Sequence, residues 1–241
     1  MSEPYDRSPK PISREPFTMD RSDPAFAGQS VYTPGALRAY DTVVVRLSNS
    51  LVWRCAARRI LRQYNRHVTT SHLDVGPGTG YYLDRCRFPG TAPHLTLLDP
   101  NPDVLRFAGH RLRRYRPTSY AADVLKPVGL EPASYRSVAL SYVLHCLPGD
   151  IRSKATVFDH LIPLVEPGGV VFGSTILNGG VRHTRLGRAL LRVYNGKGIF
   201  SNLHDDLDGL EEELASRFGR YELEVSGAVA LFAGWLEPPT Q

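Results

Sequence analysis

The sequence predicts an α/β protein with a mainly parallel seven-stranded sheet, helices on both faces of the sheet and an antiparallel hairpin at the C-terminus. From His72 onward, short apolar segments alternate with segments whose apolar residues recur at helical spacing. Such alternation is typical of a parallel sheet covered on both faces. The last two apolar segments are separated only by Ser226 and Gly227, which favours a hairpin. A chain of 241 residues suits one such domain with additions.

The individual elements follow from this alternation. Strands are expected at residues 71–75, 94–99, 119–122, 137–141, 170–176, 221–225 and 228–235. Helices are expected at about 79–86, 101–115, 151–165 and 206–218. Residues 178–205 are polar and contain several glycines, and we interpret them as an insertion on the substrate side of the domain.

The first 68 residues are expected to lie outside the sheet. Residues 1–25 carry prolines among charged residues, which predicts a flexible tail. Residues 26–68 are expected to form a helical lid, because Thr33 and Pro34 can start a helix and apolar residues then recur at helical spacing. A break at 48–50 would divide this lid into two helices, the second of which includes Leu51 to Leu61. Residues 26–241 would then form a single domain.

Composition narrows the cellular setting. No apolar run reaches the roughly 18 residues that a membrane helix needs, and the N-terminus has no apolar segment of the signal-peptide kind. Cys55, Cys86 and Cys146 lie far apart, and their odd number argues against a disulfide framework. We therefore expect a cytoplasmic protein with no membrane partner.

The net charge is +5, and most of the positive charge comes from arginine. An anionic partner such as RNA is one explanation, and arginine on solvated helix faces is the other. The arginines recur at helical spacing within 54–66 and 111–116, but they are not interleaved with the exposed aromatic residues on which single strands stack. We favour the second explanation and do not expect a nucleic-acid partner.

A glycine-rich turn after the first strand predicts a nucleotide-like ligand. Gly76, Gly78 and Gly80 stand at alternate positions, where glycine permits tight dihedrals and lets a ligand lie against bare backbone. A helix opening just beyond would point its free N–H groups at the same ligand. Asp99 ends the second strand about 20 residues later, where a carboxylate can accept both hydroxyls of a ribose. The alternative is that Asp99 only forms a turn and helix cap.

The spacing of the glycines separates two cofactor classes. Dinucleotide-binding enzymes carry a GxGxxG pattern, whose last glycine lets the helix approach the strand. Tyr81 stands at that position here, so the pyrophosphate-binding form is not matched. S-adenosylmethionine, which has a ribose and an adenine but no phosphate, suits the spacing better.

At this point the chain resembles the class I S-adenosylmethionine-dependent methyltransferases, which have a Rossmann-like fold. The resemblance covers about residues 70–177 and continues less specifically to the C-terminus. Five segments carry it in the family's order: 73–80, 97–101, 122–124, 141–145 and 164–169. It implies S-adenosylmethionine as the cofactor.

The resemblance also implies roles for individual residues. The amino-acid end of the cofactor would be held by Asp74 and by the turn that contains Gly76, Pro77, Gly78 and Gly80. The ribose would be bound by Asp99, in a segment with Pro100 and Asn101. The adenine would be bound by Asp123 and Val124, and the sulfonium would lie beside Ser141 and Tyr142. For Asp123, a loop cap is the alternative.

The acceptor is less well defined by the sequence. The fourth strand ends without the acidic cluster that a hard cation needs, so no metal is expected. The Asn/Asp-Pro-Pro-Tyr/Phe run of enzymes that methylate planar nitrogens is also absent, which weighs against nucleobase and amide acceptors. His145 is the candidate general base, because it follows the fourth strand on the cofactor side and histidine titrates near neutrality. A structural histidine is the alternative.

Aromatic residues outside the predicted core could shield the cofactor and seat a ring-containing acceptor. The candidates are Tyr32, Tyr40, Trp53, His183, Tyr194 and Phe200. The alternatives are helix core packing for Tyr40 and Trp53, and a solvated surface loop for the later residues.

We therefore expect S-adenosylmethionine-dependent transfer of a methyl group to an oxygen or carbon atom of a small molecule, in secondary metabolism. One alternative is an RNA or protein methyltransferase that uses the basic surface. The other is a cofactor-binding scaffold, or an enzyme on the same fold that does not methylate. The oligomeric state is left open.

Overall fold

A computed structural model describes residues 50–238, which are built on one seven-stranded sheet. The strands are β1 (Ser71–Val75), β2 (His94–Leu98), β3 (Thr118–Tyr120), β4 (Tyr135–Ser141), β5 (Val165–Ile176), β6 (Arg220–Ser226) and β7 (Val229–Trp235). Their order across the sheet is β3-β2-β1-β4-β5-β7-β6, and β7 is antiparallel to both of its neighbours. The predicted mainly parallel sheet with a C-terminal antiparallel hairpin is confirmed.

Seven α-helices connect the strands within the described residues. They are α1 (Ala57–His67), α2 (Tyr81–Arg85), α3 (Pro102–Arg111), α4 (Ile151–Lys154), α5 (Thr156–Leu161), α6 (Arg185–Gly196) and α7 (Leu207–Arg217). Short 3-10 turns follow α3, β4 and α5. None of the helices in this part of the chain is long and apolar enough to cross a membrane.

Both faces of the sheet are buried, as a parallel sheet requires. One apolar cluster includes Ile60 of α1 and Phe172 of β5. The other includes Phe158 of α5, Leu210 of α7 and Phe232 of β7. The helices therefore cover both faces, as the sequence predicts.

The strand order places a ligand-binding edge between β1 and β4. From β1 the chain moves outward to β2 and β3, then returns to β4 on the other side of β1. Ligands of open α/β sheets bind at such a reversal, beyond the carboxyl ends of the strands. The glycine turn follows β1 at this edge.

The structure differs from the predicted elements in three places, of which two concern helices and one concerns a strand. The helix expected at 151–165 is divided into α4, α5 and a 3-10 turn over Ile162–Leu164, where Pro163 has no N–H to continue an α-helix. The strand expected from residue 170 already begins at Val165. Within 178–205, where the sequence analysis assigned no helix, the structure has α6, whose N-terminus is capped by the Thr184 side chain accepting from Gly187 N at 2.8 Å.

The segment before α1 is not the continuous helix that we predicted. Arg54 has a left-handed backbone (φ 57°), and α1 begins only at Ala57. The hairpin explains this, because Ala228 N donates to Trp53 O at 2.9 Å and the Ser226 hydroxyl donates to Arg54 O at 3.2 Å. The tail, the first lid helix, Tyr32 and Tyr40 lie outside the described residues.

Several helix arginines pair with acidic side chains. Arg59 and Arg66 of α1 pair with Glu224 and Glu222 of β6, and Arg114 pairs with Asp84. These acidic partners reduce the positive field at Arg59, Arg66 and Arg114.

The contact between the hairpin and the segment before α1 is expected to depend on Gly227. Its φ is +64°, and an added Cβ would overlap the Trp53 carbonyl oxygen and the Arg54 side chain. Gly227→Ala should therefore lower the free energy of unfolding by at least about 2 kcal/mol. Gly168→Ala is the matched control, because Gly168 has a similar φ of +77° but open space around the Cβ position.

Gly168→Ala should lower the free energy of unfolding only by the backbone strain, which is about 1 kcal/mol. Urea denaturation of both variants measures the difference. Equal losses would show that the contact of Gly227 with residues 53 and 54 adds nothing.

Candidate functional site

A cleft opens at the carboxyl ends of β1, β2 and β4. It measures about 740 Å³, counting its open mouth. Its lining consists of Val75, Gly76, Gly78, Leu98, Asp99, Pro100, Asn101, Val104, Asp123, Val124, Tyr142, Val143, Cys146 and Leu147. Eleven of these residues lie outside β1 and the glycine turn, so several distant segments of the chain build one site.

The glycine turn shapes the floor of the cleft. Gly76, Gly78 and Gly80 have φ values of +64°, +54° and +72°, a region that residues with a Cβ seldom adopt. A Cβ on Gly76 would lie 2.6 Å from Val143 Cγ2, and one on Gly80 would lie 3.2 Å from Leu112 Cδ1. A Cβ on Gly78 would meet no protein atom within 4 Å. Gly76 is thus required by protein packing, a Cβ on Gly80 would need the Leu112 side chain to shift by a few tenths of an ångström, and Gly78 faces open space.

Asp99 lies at the end of β2, on the wall of the cleft. Its Oδ1 accepts from Asn101 N at 2.7 Å, and the Asn101 side chain in turn caps α3 by accepting from Asp103 N at 2.9 Å. Burial raises the pKa of Asp99 to about 7, although the Asn101 N–H opposes this shift. The carboxyl group therefore takes part in the turn and also faces the cleft, so both roles that the sequence allowed are compatible.

Asp123 follows β3 on the same side of the cleft. Its Oδ1 accepts from Leu125 N at 3.0 Å, which is the loop-cap arrangement, and Lys126 Nζ lies 3.8 Å from Oδ2. Val124 is buried beside it, and its carbonyl lies 2.9 Å from His160 Nδ1. The contacts of Val124 and Leu125 hold this loop so that Asp123 and Val124 both line the cleft.

Asp74 lies behind the cleft lining, not in it. Its side chain is buried under α1, where Tyr64 Oη donates to Oδ2 at 2.9 Å. His72 Nε2 is 3.4 Å from the same oxygen. Pro77 and Gly80 close the turn through Gly80 N donating to Pro77 O at 2.8 Å, and they also lie outside the lining.

The tip of β4 carries a strained residue. Tyr142 is not a glycine but has φ of +61°, and its N–H donates to Ser174 O at 2.7 Å. Such a conformation costs on the order of 1–3 kcal/mol and is found mainly at functional sites. It directs Tyr142 into the cleft, while the preceding Ser141 is buried outside the lining.

His145 is a core residue in this structure. It is 3% exposed, and its ring lies 4.5 Å from the ring of Phe200 between centroids. Its Nδ1 lies 3.4 Å from Ile176 N, at a distance that allows a weak hydrogen bond. Burial lowers the pKa of His145 to about 3, so the ring is neutral near pH 7. The next residue, Cys146, reaches the cleft as a thiol, because burial raises its pKa to about 12.

Three of the six aromatic and histidine candidates meet near His145. Phe200 contacts Trp53 at 6.0 Å and Tyr194 at 5.0 Å between ring centroids. Trp53 is almost fully buried, so the core-packing alternative describes it well. His183 lies apart from this cluster, with Nε2 3.1 Å from Asn178 O.

A buried ion pair, absent from the sequence predictions, anchors the end of the 178–205 stretch. Lys154 Nζ lies 2.6 Å from Asp205 Oδ2 and donates to Ser201 O at 2.6 Å, and both charged side chains are fully buried. Ser201 N in turn donates to His145 O at 2.9 Å. The end of the 178–205 segment is therefore held by a hydrogen bond to the turn after β4.

The chain was compared with known proteins. Residues 73–171 match a family model described as a methyltransferase domain. Demethylluteothin O-methyltransferase of Streptomyces thioluteus is 39% identical over 208 residues, which are 86% of this chain and 90% of the relative. This chain belongs to the class I S-adenosylmethionine-dependent methyltransferases. The Physcion biosynthesis cluster O-methyltransferase of Aspergillus chevalieri is 35% identical over 89% of this chain and 97% of that protein.

Solved methyltransferase structures share the fold. The DhpI–S-adenosylhomocysteine complex aligns with a TM-score of 0.63 at 16% identity, over 90% of this chain and 98% of that chain. The N-methyltransferase NodS from Bradyrhizobium japonicum WM9, in complex with S-adenosylhomocysteine, aligns with a TM-score of 0.57 at 16% identity, over 88% and 99%. S-adenosylmethionine is the cofactor of this methyltransferase.

The cleft has features that suit this cofactor. Gly78 leaves room against the backbone, Asp99 and Asp123 offer carboxylate acceptors, and no lysine or arginine is part of the cleft lining. Apolar side chains such as Leu98, Val104 and Val124 can pack against a flat ring. Within residues 50–238, no group of three or more His, Cys, Asp or Glu side chains is placed to hold a metal ion.

Gly78→Ala is expected to weaken cofactor binding more than it weakens the fold. The new methyl group would enter open space in the apoprotein, and we expect the cofactor to occupy that space against the turn. We expect affinity for S-adenosylhomocysteine, measured calorimetrically, to fall by at least about tenfold. Gly168→Ala, with a similar φ far from the cleft, should bind normally, and equal affinity in both variants would place the cofactor elsewhere.

Proposed function

We propose that this methyltransferase transfers a methyl group to an oxygen atom of a small ring-containing molecule of secondary metabolism. The observation that carries the proposal is the 39% identity to demethylluteothin O-methyltransferase over nearly the whole of both proteins. The sequence allowed oxygen or carbon as the acceptor, and the names of that relative and of the Physcion cluster enzyme favour oxygen. Nitrogen is the competing acceptor, because the N-methyltransferase vrtF of Penicillium aethiopicum is 34% identical.

For the cofactor, we propose the contacts that the resemblance implies. Asp99 accepts from the ribose hydroxyls, Asp123 and Val124 hold the adenine, and Tyr142 lies beside the sulfonium. Their shared position on the cleft lining supports these assignments. Asp74 would reach the amino-acid end of the cofactor from behind the lining.

S-adenosylmethionine supplies a methyl group on a good leaving group, so the chain contributes mainly alignment and exclusion of water. The buried walls of the cleft and the fixed backbone of Tyr142 support that role. Residues 178–205, proposed as the substrate-side insertion, would contribute the acceptor wall through Tyr194 and Phe200. Tyr194 packs on Phe200 and Phe200 on His145, whose ring meets that of Tyr142 in the cleft lining at 5.9 Å between centroids, which supports this position.

Of the two roles considered for His145, we propose the structural one. Its burial, its contact with Ile176 N and its lowered pKa all weaken it as a base. A base that matters contributes about 100-fold or more to the rate. A hydroxyl acceptor that is acidic enough, such as a phenol or enol, would need no such base.

Methyl transfer is tested directly with S-adenosylmethionine labelled in its methyl group. The protein is incubated with separate sets of phenols and enols, amines, and RNA, and the labelled product is located by mass spectrometry and NMR. We expect label on an oxygen of the first set. His145→Gln should then keep turnover within about tenfold of the wild type, whereas a loss of 100-fold or more at unchanged cofactor affinity would restore the base role. Label on amines or RNA would overturn the acceptor assignment, and tight cofactor binding with no transfer would indicate a scaffold.

Cofactor affinity is expected to depend on pH through Asp99. The carboxyl group must be ionised to accept both ribose hydroxyls, and its pKa in the free protein is about 7. Affinity for S-adenosylhomocysteine should therefore rise by about tenfold from pH 6 to pH 8 and level off above. Asp99→Asn should bind more weakly with a flat profile, and a wild-type profile in that variant would remove Asp99 from the ribose site.

A further inference from the structure

We propose that Tyr64 of α1 is a positioning residue that holds the Asp74 carboxylate ready for the ammonium group of the cofactor. The inference rests on the proposed contact between Asp74 and the amino-acid end. Tyr64 lies outside the segments that carry the family resemblance, and no other role in the cofactor site is assigned to it. Its effect would pass through Asp74, so it is not itself a catalytic residue.

The geometry around Asp74 is unusually restrictive for a carboxylate. Its side chain is 2% exposed, and one oxygen, Oδ2, is the acceptor for Tyr64 Oη at 2.9 Å. His72 Nε2 lies 3.4 Å from that same oxygen. Two groups thus converge on Oδ2, which fixes the plane of the carboxylate.

A hydrogen-bond chain connects His72 to the loop before β1. Thr69 Oγ1 donates to Ser71 O at 2.8 Å, and Thr69 N donates to Ser137 Oγ at 3.0 Å. Ser137 Oγ lies 2.9 Å from Thr69 Oγ1 and 2.8 Å from His72 Nδ1, so its single hydrogen can go to either atom. When it goes to His72 Nδ1, His72 carries its own hydrogen on Nε2, directed at Asp74 Oδ2.

Tyr64 also links Asp74 to the helix after the glycine turn. Its ring stacks on Tyr82 of α2 at 5.5 Å and meets Phe172 of β5 edge-on at 5.2 Å, between centroids. Burial, followed by the charge of Asp74, raises the pKa of Tyr64 well above its usual value, so the phenol remains a donor. One buried residue therefore holds α1, β1 and α2 together at the start of the glycine turn.

The other oxygen of Asp74, Oδ1, is the one that would meet the ligand. Within residues 50–238, the side-chain contacts from Tyr64 and His72 both reach Oδ2 and not Oδ1. Asp74 directly precedes Val75 and Gly76, which line the cleft. An ammonium group is the donor that a single charged oxygen binds most strongly. Without the Tyr64 hydroxyl the carboxylate could rotate, and this oxygen would no longer be fixed.

The test compares two ligands that differ only at the amino-acid end. S-adenosylhomocysteine carries the ammonium group, and 5′-methylthioadenosine lacks it. Calorimetry of Tyr64→Phe should show about tenfold weaker binding of the first and unchanged binding of the second, since only the first uses Asp74. A defect that merely loosened the cleft would weaken both ligands.

Tyr135→Phe is the matched control. Tyr135 is buried on the opposite face of the sheet, and its hydroxyl donates to Thr96 Oγ1 at 3.0 Å. This variant also loses one buried tyrosine hydrogen bond, so its melting temperature should fall by an amount similar to that of Tyr64→Phe. Its affinity for both ligands should stay at the wild-type value.

A double-mutant cycle with Asp74→Asn completes the test. If Tyr64 acts through Asp74, Tyr64→Phe should cause no further loss of S-adenosylhomocysteine affinity in the Asp74→Asn background. Additive losses, equal losses for both ligands, or no loss in Tyr64→Phe would each overturn the proposal. Failure of the wild type to bind either ligand would instead overturn the proposed cofactor contacts.

Discussion

The contact between the glycine turn and its two neighbours is the constraint on which the rest of the site depends. Gly76 brings the end of β1 against Val143, beyond β4, and Gly80 brings the start of α2 against Leu112, beyond α3. Both glycines have a left-handed backbone, and the approach of Gly76 to Val143 also needs the absence of a Cβ. Contacts on both sides fix the turn, and the ends of β1, β2 and β4 therefore stand at defined distances from one another. The cleft is the space that this packing leaves open, and Gly78 is the glycine that faces it.

Around this turn, acidic groups are held at the strand ends in different ways. Asp74 is clamped through one oxygen by Tyr64, while Asp99 and Asp123 each use one oxygen to accept a backbone N–H two residues later. Burying carboxylates is costly unless a partner balances the charge. The raised pKa of Asp99 records that cost in the free protein. A ligand that donates hydrogen bonds to Asp99 or carries positive charge would offset this cost.

The sequence predicted the features that depend on local pattern and failed where distant contacts decide. Strand positions, the hairpin and the glycine turn follow from periodicity and from residues with special backbone freedom, and the structure agrees with them closely. The helix expected over Leu51 to Leu61 is interrupted after residue 52, because residues 53 and 54 bond to the hairpin more than 170 residues away, which no local pattern records. Similarly, the motif residue Asp74 was predictable, but its clamp by Tyr64 was not, since it depends on how α1 lies on the sheet. The ion pair of Lys154 with Asp205 was not predicted for the same reason, because each charged residue by itself is typical of a protein surface.

Charge also explains how a basic protein can have a site suited to a cation. The chain carries a net charge of +5, yet the cleft lining contains two aspartates and neither lysine nor arginine. Phosphate groups placed in this cleft would face Asp99 and Asp123, and the Lys126 ammonium beside Asp123 already pairs with that carboxylate, which is unfavourable for an anion in a partly buried site. A sulfonium and an ammonium group meet the opposite field and are stabilised by it. Of the arginines outside the lining, Arg59 and Arg66 pair with glutamates, whereas Arg111 donates to Thr79 Oγ1 of the glycine turn at 3.1 Å. The acidic lining of the described cleft thus suits the positive charge of the cofactor.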